Sequence, residues 1–206
     1  VYIHIATVEN GTLKVGDTVT VAVTAPRREA IMRNHSAAHL LQNALRQVLG
    51  THVEQAGSYV SDTVCRFDFT HFSAMTAEEI EKVNALVQEA VLEGYGVDIR
   101  EMSINEAKEM GATALFSEKY GDTVRVVNMG GYSIELCGGT HLDNTAKAGM
   151  FRIKSEGSVA SGVRRIEATV GKQTAETLNN NQKILIHLAQ MVKTTPAEVE
   201  NRIQQQ

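Results

Sequence analysis

Residues 33–50, "RNHSAAHLLQNALRQVLG", form the stretch around which the rest of the sequence is organised. Apolar residues recur in it at helical spacing and define one face: Ala37, Leu41, Ala44, Leu45 and Val48. Asn34 is a suitable N-cap, and Gly50 is a suitable residue for ending a helix. We therefore predict a helix between Asn34 and Gly50 that packs this face on the core.

The segment before this helix has a different pattern. Residues 1 to 24 alternate apolar and polar residues, with turns at "ENGT" and "VGD". This alternation predicts a small antiparallel meander, which we interpret as the end of a β-domain. The intervening "APRREAIMRN" is expected to be a short helix or a connector.

The segment after the helix alternates strands and helices. Short strands are predicted around "GSYV" and "VCRFDF", where Cys65, Phe67 and Phe69 share one face. Capping boxes at Thr76 with Glu79, and at Ser103 with Glu106, predict two helices that end at Gly94 and Gly111. Further strands are predicted at "VDIREM", "VRVVNM", "YSIEL", "MFRIKS" and "VRRIEATV".

Together these elements predict an α+β fold, in which helices pack on a mostly antiparallel sheet. From about Gly171 the sequence becomes polar and helical, and a second helix start is predicted at Thr195 to Glu198. We therefore expect three parts: residues 1–25 as the end of a small β-domain, 26–170 as the main domain, and 171–206 as a helical segment.

Composition restricts the class of protein. The 206 residues are 43% hydrophobic and include only two cysteines, which favours a folded protein without a disulfide framework. Apolar runs are too short for a membrane span and no signal peptide is recognisable, so we expect a cytoplasmic protein. The chain starts without Met and stops in the helical run "NRIQQQ", so we expect a piece of a longer protein.

Two motifs contain side chains that bind metals. His35 and His39 lie one helical turn apart, a spacing that suits two ligands of one ion but also suits two packed imidazoles. In "ELCGGTHL", Cys137 and His141 flank two glycines, whose backbone freedom we expect to turn both side chains toward one point. Three imidazoles and a thiolate form a donor set that tetrahedral zinc prefers, so we predict a Zn²⁺ site. Spacing alone leaves open whether this zinc is structural or catalytic.

A family resemblance is carried by six segments in order: "RNHSAAHLL", "LRQVLGTHVEQAGSYV", "RFDF", "ALFSEKYGD", "ELCGGTH" and "GVRRIEA". In this order and spacing they resemble the editing domain of the alanyl-tRNA synthetase family, over nearly the whole chain. "KVGDTVTV" is similar to the end of the small β-barrel before that domain. Free-standing AlaX editing proteins share the metal motifs and are an alternative. The threonyl-tRNA synthetases have a related domain with a different loop.

The resemblance implies four zinc ligands at His35, His39, Cys137 and His141. It also implies that Gln55 lies in the editing pocket, and Thr140 is a second candidate for contact with the substrate. Ala38 stands where the family often has Thr. The implied reaction is hydrolysis of the ester that joins tRNA(Ala) to a wrongly attached serine or glycine. No ATP-binding motif appears in the chain, so we do not expect it to activate alanine.

Binding of the tRNA acceptor end requires cations, although the net charge of the chain is −4. The candidates are Arg33, Lys154, Arg164 and Arg165. Because neighbouring residues of a strand point to opposite faces, we expect at most one of Arg164 and Arg165 to face RNA. A tRNA-binding module with a structural zinc and no hydrolysis is the main alternative. Self-association through the C-terminal helices is a further expectation.

Overall fold

The histidine-bearing helix begins earlier than its sequence pattern predicts. The computed structural model describes residues 3–113 and 121–205, and its first helix, α1, spans Ala25–Leu49 with Thr24 as N-cap. The predicted N-cap, Asn34, is wrong: it lies inside α1, where its Nδ2 donates to the carbonyls of Ala30 and Ser61. Pro26 lies in the first turn, a position that proline favours, so "APRREAIMRN" is continuous with the helix.

The N-terminal segment does not form the predicted meander. Residues 3–24 contain a turn, in which the amide of Asp17 donates to the carbonyl of Lys14, but no strand. Every one of these residues is exposed. Isolated hairpins gain too little burial to be stable in water, so apolar alternation without a packing surface is insufficient to form strands here.

Within residues 3–113 and 121–205, seven strands form two antiparallel sheets. In the four-stranded sheet the spatial order is β1-β2-β7-β6, and in the three-stranded sheet it is β3-β4-β5. The strands are β1 (Gln55–Val60), β2 (Cys65–Thr70), β3 (Val97–Ser103), β4 (Thr123–Met129), β5 (Ser133–Leu136), β6 (Phe151–Ala160) and β7 (Val163–Val170). All their pairings are antiparallel, so the predicted α+β class is confirmed.

In the described part of the chain, four α-helices follow α1: α2 (Ala77–Leu92), α3 (Ile104–Glu109), α4 (Lys172–Met191) and α5 (Val199–Gln204). Both predicted capping boxes are present, at the starts of α2 and α3. Thr195 precedes a 3-10 helix over Pro196–Glu198 that leads into α5. Among the described residues, no helix is both long and apolar enough to cross a membrane.

The main core lies where α1 meets α2 and the four-stranded sheet. It includes Leu41 and Leu45 of α1 and Phe67 and Phe69 of β2, all of which are almost fully buried. Cys65 is also buried and unpaired, as predicted. Because α1 is fixed along this core, the direction in which its histidines point is fixed as well.

Candidate metal centre

Four side chains predicted as ligands converge at one point. His35 and His39 project from α1, and Cys137 and His141 come from the loop after β5. One donor atom from each lies within 4.8 Å of the others. His39 Nε2 is 3.1 Å from His141 Nε2, and His35 Nε2 is 3.5 Å from Cys137 Sγ. The structure therefore brings together two pairs that are 102 residues apart in the chain.

The loop is attached to both α1 and β4 by hydrogen bonds. Ser36, which is fully buried between the two histidines of α1, accepts from the amide of Leu142. Arg125 of β4 donates from one terminal nitrogen to the carbonyls of Cys137 and Gly139. Sequence analysis missed both residues because their partners are distant in the chain, and no local motif indicates them.

The glycines of the loop have a different role from the predicted one. Neither Gly138 nor Gly139 has a positive φ, so neither needs the conformational freedom of glycine. A Cβ added at Gly139 would instead overlap the ring of His35, whereas one added at Gly138 would meet open space. Gly139 is thus required because the backbone lies directly against the His35 imidazole.

The electrostatics of the centre favour a thiolate. Burial alone would raise the pKa of Cys137, but hydrogen bonds with His141, His35 and His39 lower it to about 3. Burial alone would lower the pKa of His39, whereas Glu135 and Cys137 raise it to about 10. A thiolate is the form of cysteine that binds metals. Binding a metal through His39 would displace its proton.

A carboxylate that the sequence analysis did not consider lies behind the cluster. Glu135 Oε2 is 3.2 Å from His39 Nδ1, and both side chains are largely buried. Histidine ligands of metals usually direct their second ring nitrogen to a carboxylate, carbonyl or water. A signal was present in the sequence, because Glu135 is the first letter of the quoted motif "ELCGGTHL".

The donor set fits a zinc ion. Three imidazole nitrogens and one thiolate sulfur converge, and the Nδ1 atoms of His39 and His141 are buried without a hydrogen bond in the described structure. Zinc in proteins takes tetrahedral sets of this kind. The residues that could hold the ion are therefore the four that spacing predicts.

A cavity of about 580 Å³ opens beside His141. Its wall includes apolar side chains, with Met32, Val97 and Leu142 among them, and the cations Arg33 and Lys147. Arg33 donates from Nε to the carbonyl of Lys147, so this predicted RNA contact lies on the wall of the cavity. The wall also includes Glu29 and Asp143, which pair with these two cations, so the cavity has a mixed lining of apolar and charged side chains.

The two predicted substrate residues lie in different elements. Thr140 is exposed in the loop, directly before His141. Gln55 is half-buried at the start of β1, where its partner across the sheet is Phe69 of β2. Gln55 belongs to the four-stranded sheet, and it is not among the residues that line the cavity beside His141. Its role in the pocket stays a prediction. Ala38 is buried in α1.

The remaining predicted RNA contacts lie on β6 and β7. Lys154 is exposed on β6. Arg164 forms a two-point ion pair with Glu156, and Arg165 forms one with Asp68 of β2. Both arginines therefore have a carboxylate partner within the sheet, and a phosphate would compete with that partner for their donors.

The sequence of the chain is similar to that of known proteins. Residues 124–167 match the model described as the threonyl and alanyl tRNA synthetase second additional domain. The chain is 57% identical over 203 residues to the alanine–tRNA ligase of Acetivibrio thermocellus and 52% identical over 201 residues to alanine–tRNA ligase 1 of Lachnoclostridium phytofermentans. Against the alanine–tRNA ligase of Bacillus velezensis the identity is 49% over 203 residues.

Each of these alignments covers 98% of the chain but only 23% of the relative, so the chain spans about a quarter of the length of the proteins it matches. The quoted motif "ALFSEKYGD" lies mostly outside the described residues. From these matches, the chain belongs with the alanine–tRNA ligases, as a segment that contains their second additional domain.

Proposed function

We propose that residues 26–170 form an editing domain that hydrolyses Ser-tRNA(Ala) and Gly-tRNA(Ala), within a cytoplasmic protein that attaches alanine to tRNA(Ala). The observation that carries the proposal is the convergence of three histidines and one cysteine beside a cavity. The family match supports it, because a segment of a tRNA ligase has an aminoacyl ester as its natural substrate class.

The proposed cofactor is Zn²⁺, held by His35, His39, Cys137 and His141. A bound zinc would supply Lewis-acid chemistry, polarising an ester carbonyl or a water. The proposed role of the side chains that line the cavity is to position the substrate and exclude bulk water. Of the four ligands, His141 lines the cavity, and its Nε2 is 3.1 Å from Nε2 of the buried His39.

A separate editing site is needed because the size of a pocket that accepts alanine cannot by itself exclude glycine or serine. Glycine fits wherever alanine fits, and an apolar pocket cannot strongly reject an analogue that only adds a hydroxyl. A second site with a polar group can prefer serine, because alanine would leave that group unpaired. Gln55 is our first candidate for this group and Thr140 is the second.

The tRNA acceptor end is the proposed partner. Arg33 is the candidate that lines the cavity together with His141, although it also pairs with Glu29, whose Oε2 is 3.5 Å from its Nη2. Lys154 is exposed and free to approach a phosphate, whereas Arg164 and Arg165 would first have to exchange their carboxylate partners. Self-association through α4 and α5 is a further proposal, supported by the exposed apolar residues Ile184 and Met191 of α4.

The test is deacylation of Ser-tRNA(Ala) by the purified chain, with Ala-tRNA(Ala) as the control substrate. We expect the seryl ester to be cleaved and the alanyl ester to be spared. Cys137→Ala should abolish cleavage. Cys65→Ala is a matched control, because Cys65 is buried on β2 and is outside the four-residue donor set. Equal cleavage by wild type and Cys137→Ala would refute the role of the cluster.

A tRNA-binding module with a purely structural zinc is the second candidate. The observation that favours it is the number of protein donors, because four ligands close a tetrahedral site and leave no position for water. This function requires that a folded, zinc-loaded chain bind tRNA(Ala) without cleaving either ester. The same deacylation assay, combined with a measurement of tRNA binding, distinguishes the two candidates.

A further inference from the structure

Three buried side chains form a chain of contacts that ends at the metal cluster. Ser133 Oγ donates to Glu135 Oε1 at 2.8 Å, and Glu135 Oε2 lies 3.2 Å from His39 Nδ1. Ser133 is 5% exposed and the Glu135 side chain is 14% exposed. A carboxylate this far removed from water is costly unless it has partners, so its position beside an imidazole requires an explanation.

We infer that Glu135 is the positioning residue of His39: it holds the proton on Nδ1 and thereby leaves the Nε2 lone pair free for a metal. The inference rests on the proposed function only in treating the cluster as a metal site. Glu135 is not a fifth donor, because it contacts His39 through Nδ1 and is outside the four-residue donor set.

The chemistry of imidazole explains why a carboxylate is suited to this role. A neutral imidazole has one N–H and one lone pair, and the partner of one nitrogen decides which nitrogen carries the proton. His39 Nδ1 is buried, and Glu135 Oε2 is the polar atom that the described residues place against it. The contact is short, at 3.2 Å, but is not aligned as a hydrogen bond in the described structure. The oxygen that Glu135 directs at Nδ1 accepts a hydrogen bond, so this contact favours the Nδ1–H form.

The position of Glu135 is fixed from the β5 side. Ser133 and Glu135 are two residues apart on a strand, so their side chains share a face. The same strand leads directly to Cys137. Its backbone is held in place as well, because Glu135 forms a bridge with Thr113. One element therefore supplies both a metal ligand and the group that orients a ligand on α1.

The inference is tested by the zinc affinity of the full chain, measured by competition with a chromophoric chelator. We expect Glu135→Ala to weaken zinc binding by about 10–100-fold, the usual effect of losing a group that orients a ligand. Glu135→Gln, which keeps the size but can present an N–H to Nδ1, should also weaken it. Ser133→Ala should have a smaller effect in the same direction. Glu78→Gln, at an exposed position in the first turn of α2, is the control and should bind zinc as wild type does.

Cobalt substitution distinguishes a positioning role from loss of structure. In Glu135→Gln the thiolate-to-cobalt charge-transfer band from Cys137 should persist, while the visible d–d bands should change because the His39 donor is displaced. Circular dichroism checks that each variant is folded, and Glu135→Gln is decisive if Glu135→Ala unfolds. Zinc affinities of folded Glu135→Gln and Ser133→Ala within twofold of wild type would overturn the inference.

The affinity measurement is independent of the proposed reaction. A wild-type chain that binds zinc but does not deacylate Ser-tRNA(Ala) would overturn the proposed hydrolysis, and the variant affinities would still decide the role of Glu135. A folded wild-type chain that binds no zinc would overturn this inference and the metal part of the proposed function together.

Discussion

At the scale of single residues, the cluster depends on how closely the loop backbone approaches His35. Gly139 lies so near this imidazole that no side chain fits between them. Arg125 and Ser36 hold the same loop from two other sides. The donor atoms are therefore placed by a rigid backbone and not by flexible side chains, which is the usual requirement for a precise site.

Gly139→Ala tests this dependence. The added Cβ overlaps the His35 ring, so the ring or the loop must move and one donor leaves the cluster. We expect zinc affinity to fall by about 10-fold or more, as for other losses of ligand positioning. Gly138→Ala is the matched control, because its Cβ would meet open space and its backbone has no positive φ. Equal affinities for the two variants would contradict the steric role.

The sequence predicts the four donors but not the groups that hold them. His35 with His39, and Cys137 with His141, are each four residues apart, and such local spacing can be read from one sequence. Glu135 with His39 and Arg125 with Gly139 depend on how β4 and β5 pack beside α1. These contacts are set by tertiary structure, so periodicity and spacing do not reveal them.

At the scale of elements, capping boxes predicted helix starts correctly, whereas a single capping residue and an alternating pattern did not. The capping boxes located α2 and α3, because a capping box consists of contacts within four residues. The start of α1 was misplaced because Asn34 resembles an N-cap, although Pro26 marks the true first turn. The meander predicted for residues 1 to 24 is absent from residues 3–24, because strands need pairing partners that an alternating pattern does not specify.

The ion pair of Asp68 and Arg165 links β2 to β7, and its contribution to the free energy of unfolding should depend on pH. Its hydrogen bonds with Arg165 lower the pKa of Asp68, so the pair stabilises the fold above the unfolded pKa of about 3.9. That contribution is lost as the pH falls through the lower, folded pKa. Asp68→Asn should reduce the free energy of unfolding by about 1 kcal/mol at pH 7, because Arg165 is partly exposed.

Denaturant unfolding of Asp68→Asn and wild type at pH 7 and below pH 3 measures this contribution. The difference between the two proteins should shrink at acid pH, where the wild-type carboxyl is protonated as well. Asp98→Asn, which removes a carboxylate from an exposed pair with Arg100 on β3, is the control and should change stability little at either pH. A difference for Asp68→Asn that is constant with pH would contradict the prediction.

At the scale of the whole molecule, the metal centre joins the helical and sheet layers. Two donors lie on α1, which packs on the four-stranded sheet, and two follow β5 of the three-stranded sheet. A ligand that binds only the folded chain stabilises it by mass action, by about 2.7 kcal/mol at a hundred times its dissociation constant. Zinc should therefore stabilise the whole domain and not only the loop.

Removal of zinc by a chelator should lower the melting temperature by about 5–10 °C, the shift that this free energy gives in a domain of this size. The shift should be absent in Cys137→Ala, which has lost a donor, and retained in Cys65→Ala, whose cysteine lies in the core. Differential scanning calorimetry with and without chelator measures it. An equal shift in wild type and Cys137→Ala would show that the chelator acts elsewhere.

The 102-residue separation between the donor pairs has a consequence for how the protein is made. At about 5–20 residues per second, a ribosome takes roughly 5–20 s to pass from the first pair to the second. During that interval the nascent chain presents two imidazoles and no thiolate from the loop. The complete donor set exists only after β5 has docked beside α1, so the proposed metal capture would come late in biosynthesis and would mark a chain that has already folded.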